Sequence, residues 1–231
     1  MFISVLELFK IGIGPSSSHT LGPMVAANDF IHRITDQTAT EFSKANTVIR
    51  CTLKGSLAFT GKGHSTDSAI ALGLHGHLPD SLVDKDVALL VRQIREQDHI
   101  NIGHKGTISF CPNTHIVFDK SEPLAEHPNG IVFELLNHDG TIIDTETCFS
   151  IGGGFISTLA EIKQLQAPLK LHAYTTCKYP FDSAAAMLQM ARENGISIAH
   201  MKKHNELEHI SEQELHAGMD RIWESMQMCI D

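Results

Sequence analysis

The residues best suited to chemistry form a run of hydroxyls around one histidine near the start of the 231-residue sequence. The run lies in "GIGPSSSHTLGPM", residues 12–24, on a turn that leads into a predicted helix. Unpaired backbone amides and the helix dipole at such a start favour bound negative charge. Because no lysine or arginine is present, a carboxylate is a better candidate ligand than a phosphate. An exposed turn that only caps the helix is the alternative. The side chains concerned are Ser16, Ser17, Ser18, His19 and Thr20.

A second histidine lies in a glycine-rich turn, "GSLAFTGKGHSTDSA", residues 55–69. The glycine spacing does not match a phosphate loop, and glycine occupies the position where that loop has serine or threonine. Small neighbours leave His64 exposed, and an imidazole at such a position suits a general base. A surface histidine beside a helix cap fits the pattern equally well.

Two shorter stretches are also candidates. "EHPNG", residues 126–130, carries His127 at the tip of a turn, for which a hairpin loop is the simpler interpretation. "SIGGGF", residues 150–155, has three glycines that permit close approach of the backbone to a ligand or another segment. It does not match the dinucleotide-binding pattern.

The elements that must position these residues are helices mixed with strands, without regular alternation. Helical spacing predicts a helix over about 20–35, with Ser18 as a candidate N-cap. Residues 46–60 are predicted to form a strand, and "GTISFC" and "THIVFD" two neighbouring strands. Residues 130–154 predict a hairpin that turns at Asp139-Gly140. We therefore expect an α+β fold, with a mixed or antiparallel sheet packed against helices.

Strand signals end near Phe181, which suggests three parts. We expect an α+β domain at residues 1–160, a connection at 161–181 and an all-helical segment at 182–231. The last predicted helix opens with a Ser211/Glu214 capping box, and the chain ends inside it with an apolar face unaccounted for.

Composition excludes several classes of protein. The net charge is −9 and basic residues form no run, which argues against nucleic-acid binding. No apolar stretch reaches the roughly 18 residues of a membrane span, and the N-terminus has no basic leader, so we expect a cytoplasmic protein. Five cysteines without a CxxC pair predict reduced thiols. Their wide spacing argues against a complete iron–sulfur site within this chain, and the histidines suggest no metal site.

Together with "YPF" (179–181) and "HNE" (204–206), these motifs resemble, in the same order, bacterial iron–sulfur L-serine dehydratases. The resemblance extends over essentially all 231 residues. It implies a lyase that removes water from L-serine, after which hydrolysis gives pyruvate and ammonia. It also implies a [4Fe-4S] cluster, whose open iron acts on the leaving hydroxyl, and no pyridoxal phosphate.

The resemblance further implies which part of such an enzyme this chain is. It corresponds to the N-terminal β domain, which resembles allosteric substrate-binding domains, and to the first helices of the catalytic domain. The cluster ligands then lie outside this chain. The implied partners are L-serine, a catalytic domain or subunit that carries the cluster, and a second copy in a homodimer of the full enzyme.

Site residues follow from the resemblance one by one. The three serines and Thr20 would hold the substrate carboxylate, and His64 would be the base for the α-proton. His19 and His127 would lie near the active site, His19 as a second catalytic residue and His127 as a substrate-binding residue on a loop that closes over it. Asn205 and Glu206 would belong to the catalytic domain's edge of the pocket, where Asn205 would bind substrate. The alternative function is a non-catalytic, allosteric amino-acid-binding module, which has no need of a base at His64.

Overall fold

The computed structural model describes residues 3–37, 42–163 and 177–230. The chain divides into two compact units, one of residues Gly12–Leu169 and one that combines Met1–Ile11 with Lys170–Asp231. Residues 164–176, the larger part of the predicted connection, lie outside the described residues, and the predicted division at 161–181 stays a prediction.

The larger unit is built on a mixed seven-stranded sheet in the order β2-β3-β1-β5-β6-β7, with β4 also paired to β1. The predicted α+β class is therefore confirmed. The central pairs β1/β5, β5/β6 and β6/β7 are antiparallel, whereas β3 and β4 run parallel to β1. The strands are β1 (Thr47–Gly55), β2 (His99–Asn101), β3 (Thr107–Ser109), β4 (Ile116–Asp119), β5 (Asn129–Asn137), β6 (Ile142–Gly152) and β7 (Phe155–Thr158).

Helices cover the sheet and make up most of the smaller unit. In the described residues, no helix is both long and apolar enough to cross a membrane. The helices are α1 (Val5–Leu8), α2 (Gly22–Gln37), α3 (Ser56–Thr60), α4 (Thr66–Leu74), α5 (Val87–Glu96), α6 (Pro112–His115), α7 (Leu159–Lys163), α8 (Ala184–Asn194), α9 (Ile198–Glu206) and α10 (Glu212–Met228).

The predicted hairpin is confirmed as β5 and β6. Gly140 has φ +87° at its turn, a conformation that glycine adopts without strain, and the N–H of Asn137 donates to the carbonyl of Thr141 at 2.8 Å. The open end of this hairpin carries both the "EHPNG" stretch, at the start of β5, and "SIGGGF", at the end of β6.

Strand β1 is shorter than the sequence predicts. It ends at Gly55, where φ is +57° and a Cβ atom would lie 2.2 Å from the carbonyl oxygen of Pro128. The chain turns there into α3, so the prediction of strand over residues 56–60 is wrong. This turn carries Ser56 and the following glycine-rich loop away from the sheet.

The predicted strands in "GTISFC" and "THIVFD" are confirmed as β3 and β4, although the two do not pair with each other. Both strands lie along the same edge of β1, β3 beside Val48 and β4 beside Cys51–Lys54. Helix α6 separates them, so they follow one another along the edge instead of pairing.

The core of the larger unit lies between the sheet and α2, which also packs against α4. The rings of Phe30 on α2 and Phe133 on β5 stack at 5.0 Å, and both side chains are fully buried. Burial of large apolar side chains is the main stabilising contribution to such a layer. The core therefore fixes α2 against β5 and β6.

The smaller unit joins α1 to the C-terminal helices. The carboxylate of Glu206, on α9, is buried and accepts hydrogen bonds from the hydroxyl of Ser4 and the N–H of Val5, both at 2.7 Å. The predicted capping box of Ser211 and Glu214 is confirmed at the start of α10. Because carboxylate bonds of this kind are strong, residues 4 and 5 are held firmly within this unit.

Candidate functional site

The serine stretch forms a wide helical turn that runs into α2. Residues Ser17–Leu21 form a π-helical turn, with the N–H of Leu21 donating to the carbonyl of Ser16 at 3.2 Å. Pro23 has no N–H, so it cannot give the carbonyl of His19 the usual helical bond from four residues onward. Single π-turns are rare and occur often at functional sites.

Ser16, not Ser18, caps this turn. The hydroxyl oxygen of Ser16 accepts the N–H of His19 at 3.1 Å, and the backbone of Ser16 is extended. The interpretation of Ser18 as the N-cap is therefore wrong, because the π-turn starts the helix earlier than Pro23 alone would suggest. The hydroxyl of Ser18 is left for side-chain contacts.

His19 lies between two serine hydroxyls. Its Nδ1 is 2.9 Å from Oγ of Ser18, and its Nε2 is 3.0 Å from Oγ of Ser56. Burial lowers the pKa of His19, the nearby His64 lowers it further, and a hydrogen bond with the backbone of Ser56 opposes both effects in part. In the neutral ring one nitrogen donates and the other accepts, so the imidazole links the two hydroxyls in one hydrogen-bonded chain.

Ser56 is a site residue that sequence reasoning missed. It opens α3 directly after Gly55 and lies 37 positions from His19 in the chain. The sequence feature that could have identified Ser56 is its position in the glycine-rich stretch, one residue after the glycine that ends β1.

The ring of His64 lies beside that of His19, with 4.8 Å between centroids. Its Nδ1 is 3.0 Å from the carbonyl oxygen of Thr60. A carbonyl can only accept, so Nδ1 carries the proton and Nε2 of the neutral ring keeps its lone pair. The local backbone thus selects the tautomer that a base requires.

An ion-pair network anchors the loop that carries His64. The carboxylate of Asp67 accepts hydrogen bonds from Lys62 at 2.7 Å and from Arg95 at 3.2 Å. Burial would raise the pKa of Asp67, but these two cations outweigh it and lower the pKa. Between His64 and this anchor, Ser65 has φ +54°, the one positive φ outside glycine in the described residues. Such a conformation is retained only where the surroundings impose it.

The "EHPNG" loop is attached to the same region. The N–H of Ser56 donates to the carbonyl of Pro128 at 2.8 Å, and the side-chain amide of Asn129 donates to the carbonyl of Ser150 at 3.0 Å. The N–H of Asn129 donates to Nδ1 of His127 at 3.1 Å, so the proton of that neutral ring is on Nε2. Burial lowers the pKa of His127.

The "SIGGGF" stretch packs against the residue that follows the π-turn, Gly22. A Cβ atom on Gly22 would lie 2.1 Å from Oγ of Ser150, a fully buried hydroxyl that has no partner in the described parts of the chain. The three glycines that follow Ser150 all have positive φ, which forms the tight turn between β6 and β7. All four stretches singled out from the sequence therefore meet around the start of α2 and the start of α3.

This arrangement coincides with the region that a known family shares. The sequence profile of the family described as serine dehydratase beta chain matches residues 4–161. The chain belongs to this family.

Relatives in the serine dehydratase family match the whole of this chain. The L-serine dehydratase of Streptomyces coelicolor is 35% identical over 231 residues, which are 100% of this chain and 50% of the relative. The L-serine dehydratase TdcG of Escherichia coli K12 is 35% identical over 97% of this chain and 47% of its own length. The L-serine dehydratase of Mycobacterium bovis is 36% identical over 99% of this chain and 48% of its own length. This member of the family thus spans about half the length of the curated relatives it matches.

Two residues expected to bind substrate already have partners in this family member. The hydroxyl of Thr20, itself buried, donates to the carbonyl of His64 at 2.9 Å. Asn205, in the smaller unit, is buried and uses its amide to pair with both backbone groups of Tyr179, at 2.8 and 2.9 Å. These bonds give both residues a structural role, and their contact with a ligand stays a prediction.

The expected iron–sulfur cluster finds no fitting ligand set in the described residues. Residues 3–37, 42–163 and 177–230 contain no group of three or more histidine, cysteine or acidic side chains that could hold a metal. Cys51 and Cys148 are buried in the sheet core, and burial raises the pKa of Cys51 well above its ordinary value. A cluster is held by thiolates, which the buried thiol of Cys51 does not readily form.

Proposed function

We propose that this chain is the substrate-binding part of an L-serine dehydratase, which holds the carboxylate of L-serine and supplies the base that removes its α-proton. The observation that carries the proposal is the contact of His64 Nδ1 with the carbonyl of Thr60, which leaves the lone pair of the neutral ring on Nε2, beside a cluster of hydroxyl and amide donors. The family and the names of its relatives support the same substrate.

The π-turn offers several donors to a carboxylate. The hydroxyl of Ser16 accepts a backbone N–H as a cap and keeps its own hydrogen for donation. The N–H groups of Ser17 and Ser18 have no acceptor among the described residues. Donors held by the fold offset the desolvation of a small anion, and hydrogen bonds to a charged group are the stronger kind.

His64 is suited to remove the α-proton. Its Nε2 lone pair would take the proton from Cα, the electrons of that bond would form a Cα–Cβ double bond, and the β-hydroxyl would leave. The aminoacrylate formed becomes an imine, and water hydrolyses it to pyruvate and ammonia. A base of this kind contributes about 10²- to 10⁴-fold to the rate.

The part of the reaction that acts on the leaving hydroxyl belongs, in this proposal, to the half of the enzyme that this chain does not cover. The [4Fe-4S] cluster expected from the resemblance would lie there. An exposed apolar face on α10 supports such a partner, because Met219, Trp223 and Met226 are 49%, 55% and 40% exposed. Apolar faces of this kind mark interaction surfaces.

The test combines binding with turnover. L-serine binding to this chain is measured by calorimetry, with D-serine to test stereochemistry and ethanolamine, which lacks the carboxylate, as a matched control. The chain is then expressed with the polypeptide that completes it, under anaerobic conditions, and pyruvate is followed by a coupled assay. We expect binding of L-serine, no binding of ethanolamine, and pyruvate from the completed enzyme.

Two results would contradict the proposal. Binding of L-serine without any turnover in the completed enzyme would favour the amino-acid-binding module, for which the carboxylate donors alone suffice. Equal binding of ethanolamine and L-serine would remove the carboxylate pocket.

A further inference from the structure

Two threonines connect the segments that carry the two neighbouring histidines. The hydroxyl of Thr20 donates to the carbonyl of His64 at 2.9 Å. In return, the hydroxyl of Thr66 donates to the carbonyl of His19 at 2.6 Å. We call this reciprocal pair of bonds, from Thr20 and Thr66, the threonine brace.

Both hydroxyl donors are buried, and each threonine packs on a glycine of its own segment. Thr20 and Thr66 are 2% and 0% exposed. A Cβ atom on Gly14 would lie 2.4 Å from the methyl carbon of Thr20, and one on Gly61 would lie 2.9 Å from Oγ1 of Thr66. A larger residue at either glycine would therefore push its threonine out of place.

The brace also provides a hydrogen-bond donor to a carbonyl that lacks its usual helical donor. Pro23 cannot donate to the carbonyl of His19, and the Thr66 hydroxyl supplies a donor there. A buried carbonyl that loses its donor is costly, so this bond fixes the backbone of His19 strongly.

We propose that Thr20 and Thr66 are positioning residues, which hold His19 and His64 at the separation that the reaction needs. The inference rests on the proposed function and deepens it, because it explains how residues 45 positions apart keep their rings at 4.8 Å. The hydroxyls bind backbone carbonyls and need not touch the substrate. Their effect is on the geometry of the two imidazoles.

The test uses valine, which keeps the shape of threonine and removes the hydroxyl. The variants are Thr20→Val, Thr66→Val and the double variant, with Thr20→Ser and Thr66→Ser as hydroxyl-retaining counterparts. Thr35→Val is the matched control, because the Thr35 hydroxyl donates to the carbonyl of Ile31 within α2, at 2.6 Å. Each is measured for melting temperature, for the pKa of His19 by NMR in this chain, and for kcat and KM in the completed enzyme.

We expect each valine variant in the brace to lower kcat/KM by about 10- to 100-fold, the scale of a displaced catalytic group. The serine variants should recover most of this loss, and Thr35→Val should leave kinetics unchanged. The pKa of His19 should rise towards its ordinary value in Thr66→Val, because burial and then the proximity of His64 are the causes that lower it, and both depend on the brace. The fall in kcat/KM of the double variant should be smaller than the product of the two single falls, because both bonds hold the same contact between the two histidines.

The NMR measurement separates this inference from the proposed function. An unchanged His19 pKa and unchanged kinetics in the double variant would overturn the brace. A lower melting temperature with intact kinetics would also overturn it, because that result describes a structural role only. Absence of serine turnover in the wild type would contradict the proposed function, and the His19 pKa would still decide the brace. If Thr66→Val does not fold, Thr20→Val carries the same test.

Discussion

Replacing Ser16 and Ser18 one at a time by alanine separates a capping role from a ligand-binding role. Ser16 accepts the N–H of His19 at 3.1 Å, so Ser16→Ala should lower the free energy of unfolding by about 1 kcal/mol, the usual loss for a missing N-cap. For a unit of this size, that loss lowers Tm by about 2–4 °C. Among the described residues, the hydroxyl of Ser18 bonds only side chains, Nδ1 of His19 at 2.9 Å and Oγ of Ser16 at 3.4 Å. Ser18→Ala should therefore stay within about 0.5 kcal/mol of wild type in stability.

The affinity for L-serine should not follow the stability of these variants. Loss of one donor to a charged carboxylate costs about 1.5–3 kcal/mol, which is roughly a 10- to 150-fold weaker affinity. We expect this loss in both variants, and in Ser17→Ala, whose hydroxyl is exposed. Ser197→Ala is the matched capping control, because Ser197 caps α9 through the N–H of His200 at 3.2 Å and should lose stability alone. The assays are thermal unfolding and calorimetric titration with L-serine. Normal affinity in all three serine variants would refute the carboxylate pocket, and an unchanged Tm in Ser16→Ala would refute the cap.

Two further predictions concern metal and pH. This chain, purified anaerobically and given iron and sulfide, should not assemble a [4Fe-4S] cluster; a stoichiometric cluster with broad visible absorption would contradict this. Burial is the main cause that lowers the pKa of His75 below 6.5. As the pH falls, the unfolded state therefore binds a proton at His75 near pH 6.5, whereas the folded state binds it only at lower pH. Stability should therefore fall as the pH drops below about 6.5, and urea unfolding of His75→Gln should show a weaker pH dependence than wild type; an equal dependence would remove His75 as the cause.

Local patterns in the sequence predicted those elements whose signals are themselves local. The Asp139-Gly140 turn and the Ser211/Glu214 capping box depend on residues within a few positions of one another, and both appear in the structure. Helix α2 and the mixed sheet also follow from short-range periodicity.

Some errors arose where distant segments decide the local conformation, and one, the choice of N-cap, arose within the π-turn itself. Gly55 ends β1 because the carbonyl of Pro128 approaches it, which no pattern near residue 55 reveals. The cap is Ser16 because the π-turn begins before Pro23. Ser56 and Thr66 were missed as partners of His19 because they lie 37 and 47 positions away in the chain. The motifs singled out segments that the fold brings together, and only the fold shows which of their atoms meet.

The most direct test of the proposal is the turnover of L-serine by the completed enzyme after His64→Asn. Asparagine keeps an amide donor for the carbonyl of Thr60 and removes the Nε2 lone pair. We expect kcat to fall by at least about 100-fold, with L-serine affinity within a few-fold of wild type, the scale expected for loss of a general base. His32→Asn, at an exposed position on α2, is the matched control and should keep full activity. A kcat for His64→Asn within a few-fold of wild type would contradict the assignment of His64 as the base.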